Sequence, residues 1–233
     1  MDNPDCRAAV AAAVDRRAIQ TRLGGAVNVV RRSELWPREL PGGPEDRDPR
    51  ADDAAARAAL KACGQPDGFS TVLAVADTPT GVAAADEVAA ELADVGIEAE
   101  VRPLSASTFY ATDVGSPGNV TANGFGIVLA TWTADFPTPG SFLVPLVDGR
   151  SIRAVGNTNY ARLNDPAISG LIDQARAAGS TEAWREVASA VSKATVYLPL
   201  AETRIQLLAG QRLRNGVVMQ PYSGHDVATA GVR

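Results

Sequence analysis

The chain has 233 residues, 45% of them apolar and 21% charged, which is enough for one large domain or two small ones with a sizeable core. Its net charge of −5 disfavours binding to nucleic acid or to an anionic membrane surface, because both need a basic face. No apolar run approaches the roughly 18 residues of a transmembrane helix, and the alanine-rich stretch at residues 8–14 lacks the flanks of a signal peptide.

The N-terminal part of the chain is predicted to be helical. Asn3 supplies a capping side chain and Pro4 suits the first helical position, so one helix is expected from there to about Leu23. Asp15 and Arg16 fall in its later turns, where they can pair locally. We therefore assign these two charged residues a structural role and no chemistry.

A βαβ unit is predicted in the middle of the chain. A helix over residues 48–62 leads through a turn to an apolar strand at 71–76. The helix at 82–95 and the alternating strand at 97–102 complete the unit, and a right-handed crossover makes its strands parallel. A short helix at 105–112 and a loop follow.

Residues 124–143 carry the most informative pattern. A short apolar run with β-branched members predicts a buried strand, and Trp132 and Asp135 appear where that strand should end. Prolines and glycine at 137–140 are expected to break regular structure. Ligands bind at the carboxyl ends of parallel strands, and a carboxylate beside an indole suits an amino-bearing ligand. The alternative is that Asp135 caps the following turn and Trp132 belongs to the core.

The last third of the chain predicts helices over 167–177 and 181–194, short strands at 197–200 and 205–209, and a polar tail. No phosphate loop, dinucleotide fingerprint or nucleophile elbow is present. The single histidine, His225, has Ser and Asp neighbours too close in sequence to form a triad, and it cannot complete a zinc site. We therefore predict no enzyme, no catalytic residue, no metal and no cofactor.

Four ordered motifs resemble family-5 extracellular solute-binding proteins, the oligopeptide- and dipeptide-binding receptors of ABC importers. The resemblance is to the C-terminal lobe and covers nearly all of the chain. The motifs are Asn3-Pro4 with Arg7-Ala8-Ala9 and Ala13-Val14-Asp15-Arg16; Pro66-Asp67-Gly68-Phe69; Trp132-Thr133-Ala134-Asp135 with Ser141-Phe142-Leu143; and Asn159-Tyr160 with Asp165-Pro166 and Leu171-Ile172.

The resemblance implies an α/β fold, the C-terminal lobe of a two-lobe periplasmic-binding-protein fold, with a mixed β-sheet flanked by helices. Residues 1–200 would form the lobe proper, and residues 201–233 a tail that returns towards the N-terminal lobe. The chain would then be a C-terminal fragment of an exported protein, whose export signal and first half lie upstream of Met1. That protein would be periplasmic or on the cell surface, and lipid-anchored through its N-terminus.

The resemblance also implies a site and partners. Asp135 would hold the α-amino group of a peptide, and Trp132 would line the pocket. Thr133, Phe136 and Tyr160 are weaker candidates for ligand binding, and Tyr160 suits the core equally well. The ligand would be a peptide or another small solute, bound by closure of two lobes that then meet a membrane permease.

The chain departs from the peptide-binding pattern at the ligand carboxylate. Dipeptide-binding relatives place an arginine in the loop after the first strand of the lobe, but residues 76–81 contain none. Relatives that bind longer peptides place arginines shortly before the Trp, and residues 124–131 contain none either. The ligand is therefore expected to be a longer peptide or another amino-bearing solute. An interaction or signalling module that has lost transport is the alternative function.

Two cysteines, Cys6 and Cys63, stand 57 residues apart. In an exported protein of this family, two thiols are expected to form a disulfide. The alternative is a pair of small buried apolar side chains.

Overall fold

A computed structural model describes residues 1–43, 50–204, 208–216, 219–220, 224–225 and 228–232. The helices are α1 (Pro4–Ala13), α2 (Arg16–Arg22), α3 (Asp53–Ala62), α4 (Pro79–Ala93), α5 (Pro117–Ala122), α6 (Pro139–Val147), α7 (Pro166–Ala178) and α8 (Thr181–Ala194). The strands are β1 (Val29–Arg31), β2 (Phe69–Ala76), β3 (Ile97–Leu104), β4 (Phe125–Leu129), β5 (Ala201–Thr203), β6 (Leu213–Arg214), β7 (Met219–Gln220), β8 (Gly224–His225) and β9 (Gly231–Val232). The predicted strand at 205–209 and the predicted start of α3 lie partly outside the described residues.

In the part of the chain that the structure describes, the central sheet has three parallel strands in the order β3-β2-β4. The predicted βαβ unit is confirmed, with α4 as its crossover. The α/β class is confirmed as well. The prediction was one mixed sheet, whereas the described strands of the central sheet are all parallel and the antiparallel pairs lie outside it. Within the described ranges, the antiparallel pairs β1·β5, β6·β9 and β7·β8 form separate ribbons. The central strands are parallel because helical segments carry the chain back between them.

Among the described residues, the buried side chains form three clusters, two of which pack against the central sheet. The first packs α1 to α4 against one sheet face, around residues such as Ile19, Leu60 and Leu92. The second covers the other face, around Ala74 and Phe109. The third lies among α6, α7, α8 and the segment at residues 35–40. No helix in the described ranges is long and apolar enough to cross a membrane.

The predicted N-terminal helix is divided in two, because the backbone is extended at Val14 and Asp15. Asp15 caps α2 by accepting a hydrogen bond from the Arg17 amide at 2.8 Å. The buried side chain of Arg16 donates to backbone carbonyls of Arg32 and Pro199, at 2.9 and 2.8 Å. The expected local pairing of Asp15 with Arg16 is replaced by these contacts, because each side chain satisfies backbone groups instead.

Arg7, in the same N-terminal motif, binds the far end of α8. Its guanidinium donates to the carbonyls of Ala194 and Thr195, and also to those of Met1 and Asp2. The carbonyls of Ala194 and Thr195 lie at the C-terminal end of α8, and those of Met1 and Asp2 precede α1. None of them has a partner within a described helix. The charged residues of the motif therefore join distant parts of the lobe.

Cys6 of α1 and Cys63, directly after α3, form a disulfide whose Cα atoms lie 5.3 Å apart. α1 and α3 also pack together in the first cluster. The covalent link therefore reinforces an existing helix contact.

Glu91 of α4 is a partly buried carboxylate at the break between α1 and α2. Its Oε2 accepts from the Asp15 amide at 3.0 Å, and its Oε1 is buried without a hydrogen-bond partner among the described residues. Burial raises the pKa of Glu91 to about 7; the Asp15 amide lowers it, and the nearby Glu87, Asp15 and Asp94 charges raise it further.

We expect Glu91→Gln to stabilise the protein at alkaline pH. Because the folded pKa of Glu91 lies above its unfolded value, the folded state binds more protons, and wild-type stability falls as pH rises from about 4.5 to 7. The variant lacks this titration, so its advantage above pH 7 should be roughly 1–3 kcal/mol and should vanish near pH 4.5. Urea denaturation at several pH values measures it, with the exposed Asp86→Asn as control. The expectation would be contradicted if the two variants changed the free energy of unfolding by the same amount at every pH.

Candidate ligand-binding edge of the sheet

The carboxyl ends of β2, β3 and β4 meet at one edge of the sheet because the three strands are parallel. Two hydrogen bonds join the segments that follow them. The Asp77 amide, after β2, donates to the carbonyl of Leu104 at the end of β3, at 2.7 Å. The Thr131 amide, after β4, donates to the hydroxyl of Tyr110, in the segment after β3, at 3.0 Å. The loop that leaves this edge after β4 carries Trp132 and Asp135.

The loop after β4 is anchored by the start of α6. Thr138 caps this helix, and Pro139 occupies its first turn, where its missing N–H costs nothing. Ser141 donates to the carbonyls of Phe136 and Thr138, at 2.6 and 3.0 Å, and accepts from the Phe136 amide. The prediction that residues 137–140 break regular structure was therefore wrong beyond Thr138, since Pro139 begins a helix.

Asp135 is exposed in this loop. Across the described residues, no hydrogen bond or ion pair engages its carboxylate. The hydroxyls of Ser141 and Thr138, rather than Asp135, form the side-chain hydrogen bonds to the backbone of this turn. Ser141 bonds the amide and carbonyl of Phe136, and Thr138 accepts from the Ser141 amide. A solvent-facing carboxylate next to an ordered turn is free to accept charge-assisted hydrogen bonds from a ligand.

Trp132 is half-buried against the cluster among α6, α7 and α8. Its Nε1 donates to the carbonyl of Phe142 at 3.1 Å. This fixes the indole and leaves part of its apolar face accessible. α6 and α8 approach closely here. A Cβ atom added to Gly140 of α6 would lie only 2.7 Å from Cζ2 of Trp184 in α8. Trp132 thus packs against the core, as one of its two predicted roles requires, and its role in lining a ligand site stays a prediction.

The three weaker candidates lie in different surroundings. Thr133 is exposed next to Trp132. Phe136 is 67% exposed, which is unusual for a large apolar side chain. Tyr160 is half-buried and packs against two of the clusters, the second one, around Ala74 and Phe109, and the third one, among α6, α7 and α8. Burial, and to a lesser degree Tyr110, raises the pKa of Tyr160 to about 12.

Tyr110, Thr131 and Asp77 are edge residues that sequence reasoning missed. Asp77 directly follows a predicted strand, so the strand-end rule that selected Asp135 could have found it. Its carboxylate is exposed and, in the part of the chain that the structure describes, has no partner. No local signal marked Tyr110, because its bond to Thr131 spans 21 residues.

Two surface hollows of the described residues lie away from the predicted site residues. One, of about 650 Å³, is lined by Ser70, Glu98, Glu100 and small side chains of α4, and another lies at the β6·β9 ribbon. Neither contains a predicted site residue.

Residues 1–153 match the family described as "Bacterial extracellular solute-binding proteins, family 5 Middle". This chain belongs to that family. The match covers the N-terminal helices, the central sheet, the loop with Trp132 and Asp135, and α6. The family resemblance is thereby confirmed, and three of the four motifs lie within the match; the fourth, which begins at Asn159, follows it.

Relatives of the family-5 chain carry names of peptide-binding proteins. Over its whole length, this chain is 24% identical to a "Probable di/tripeptide-binding protein 5" of Pseudomonas aeruginosa, and it covers 44% of that protein. It is 34% identical to the solved "Clavulanic acid biosynthesis oligopeptide binding protein 2", with a TM-score of 0.87 over 99% of this chain and 44% of that one. A dipeptide binding protein from Pseudoalteromonas sp. SM9913, solved with Met-Leu, shares the fold at 20% identity, TM-score 0.78, 100% of this chain and 46% of that one. The chain spans less than half the length of each.

Proposed function

We propose that this chain is the C-terminal lobe of a solute-binding receptor of an ABC importer, and that the receptor binds peptides or another amino-bearing solute by closure of two lobes. Residues 1–200 form the lobe proper, and residues 201–233 return towards the other lobe. The observation that carries the proposal is the exposed carboxylate of Asp135, with no partner among the described residues, on the loop after β4 that also carries the half-buried indole of Trp132. The peptide-binding names of the relatives support it.

The chemistry of this edge favours the amino end of a ligand. Asp135 accepts one or two charge-assisted hydrogen bonds from an ammonium group, and the Trp132 ring excludes water from one side. Asp77 adds a second unpaired carboxylate at the same edge, with no arginine in the two loops that hold one in peptide-binding relatives. A free carboxylate edge attracts a cation and repels a ligand carboxylate.

The family is extracellular, and the relatives are binding proteins rather than enzymes. Our proposal extends this to a non-enzymatic receptor that is exported, held at the membrane by a lipid anchor, and docked on a permease in its closed form. In this mechanism binding energy drives closure, because the ligand contacts both lobes only when they meet.

We expect Asp135→Asn in the full-length protein to weaken peptide binding by about 10- to 150-fold, the cost of about 1.5–3 kcal/mol for a lost charged hydrogen bond. Isothermal titration with Ala-Ala-Ala and with its N-acetylated form measures the effect. Acetylation removes the ammonium charge, so it should weaken binding to the wild type far more than binding to the variant.

Asp77→Asn is the matched control, since it removes an exposed carboxylate from the same edge. If Asp135 holds the amino group, Asp77→Asn should keep the difference between free and acetylated peptide. Unchanged affinity in Asp135→Asn would refute the assignment of Asp135. A wild-type protein that binds neither free peptides nor other amino-bearing solutes would favour the interaction-module alternative.

A further inference from the structure

Tyr110 is an exposed aromatic side chain whose ring is held in place at several points. It is 37% exposed, although large apolar rings are usually buried. Its hydroxyl accepts from the Thr131 amide at 3.0 Å and shares a second hydrogen bond with the Thr131 hydroxyl at 2.9 Å. Its ring also meets the edge of Phe109, with centroids 4.9 Å apart. The ring therefore presents a fixed apolar surface at the sheet edge.

The backbone around Tyr110 explains this position. Phe109–Asp113 forms a single π-helical turn, a rare geometry that occurs often at functional sites. Phe109, the first residue of the turn, is fully buried under the sheet edge. With Phe109 anchored inside, the next side chain points outwards towards Thr131.

Tyr160 supplies a second ring beside Tyr110. The two ring centroids are 6.2 Å apart and tilted by 53°, within the range of favourable aromatic pairs. Together they form an aromatic ledge, Tyr110 with Tyr160. Thr131 lies four residues before Asp135, a span of at most about 14 Å. The ledge is therefore within reach of the first few residues of an extended peptide whose amino group lies at Asp135.

We propose that the aromatic ledge is a subsite for an aromatic or large aliphatic side chain near the amino end of the bound peptide. The inference rests on the proposed function and adds a preference to it. The Tyr110 hydroxyl is already occupied by Thr131, so the ring face rather than the polar group meets the ligand. Because the ring is ordered before binding, contact with it loses little conformational entropy.

Titration of the full-length protein with Ala-Ala-Ala, Phe-Ala-Ala, Ala-Phe-Ala and Ala-Ala-Phe tests the subsite. In the wild type, one of the Phe peptides should bind about 3- to 10-fold more tightly than Ala-Ala-Ala, the value of an aromatic contact. Tyr110→Ala should remove this preference, whereas Tyr110→Phe keeps the ring and should retain it. Val27→Ala, which trims an exposed apolar side chain outside the ledge, is the control and should change nothing.

Each outcome separates the subsite from the receptor function. If Tyr110→Ala weakens all four peptides by the same factor, the residue only positions the loop at Thr131, and the subsite is refuted while peptide binding stands. The same conclusion follows if the wild type binds the four peptides equally well. If the wild type binds none of them, the proposed peptide function fails, and the subsite fails with it. Thermal unfolding of both Tyr110 variants shows whether either result reflects lost folding.

Discussion

Replacing both cysteines, Cys6→Ala together with Cys63→Ala, is expected to lower the free energy of unfolding by about 4 kcal/mol. The bridge closes a segment of 57 residues, and in the chain-entropy model the loss of that closure in the unfolded state accounts for the effect. Urea denaturation of the wild type and the variant measures the difference. It is a large fraction of the 5–15 kcal/mol, roughly, that separates folded from unfolded proteins.

Reduction is the control for this change. A thiol reductant should bring the wild type close to the double variant and leave the variant itself unchanged. If both thiols alkylate in the native protein without reductant, the bridge is absent in solution. A wild type as unstable as the variant in oxidising buffer would contradict the expectation in the same way.

Asp148→Ala is expected to destabilise the lobe by about 3–4 kcal/mol, since it removes a buried carboxylate with several partners. Asp148 is only 3% exposed, and it accepts from the Arg150 guanidinium at 2.9 Å and from the Ser169 hydroxyl at 3.1 Å. It also caps the short helical turn that begins at Gly149. These contacts join the end of α6 to α7, so their loss should loosen the helices that support Trp132.

Asp173→Ala is the matched control, because Asp173 binds the other side of Arg150 but is exposed. Exposed ion pairs contribute little, so this variant should unfold nearly as the wild type does. Comparable losses from Asp148→Ala and Asp173→Ala in denaturant titrations would contradict the role given to burial.

The pH dependence of this network follows from its charge. Burial raises the pKa of Asp148, but the hydrogen bonds from Arg150 and Ser169 outweigh it and hold that pKa below the usual range. A lowered folded pKa stabilises the protein above the unfolded value and loses that effect in acid. The stability difference between wild type and Asp148→Ala should therefore shrink below about pH 4.

Local signals in the sequence were enough for most secondary structure. Alternation and apolar runs located β2, β3 and β4, and glycine and capping residues placed α4 and α7 within a few residues. The predictions failed where distant groups decide. The first helix breaks at Asp15, where backbone partners come from elsewhere in the lobe, and α6 begins at a proline taken for a breaker.

The candidate site was predictable to the same extent. Trp132 and Asp135 follow a recognisable strand in a family motif, so their residue types and position could be identified from the chain alone. That Asp135 is unpaired was not predictable, because the competing explanation, a turn cap, is excluded only by the hydrogen bonds of Ser141 and Thr138.

The sequence by itself determined the α/β class, the family and the position of the carboxylate and indole, because these depend on periodicity and on short motifs. Only the tertiary structure decided that Tyr110 reaches Thr131, that Arg7 and Arg16 bind distant carbonyls, and that Tyr160 joins two clusters. Contacts of this kind link residues far apart in the chain. They depend on how packed elements bring side chains together, and no local pattern of residues encodes that arrangement.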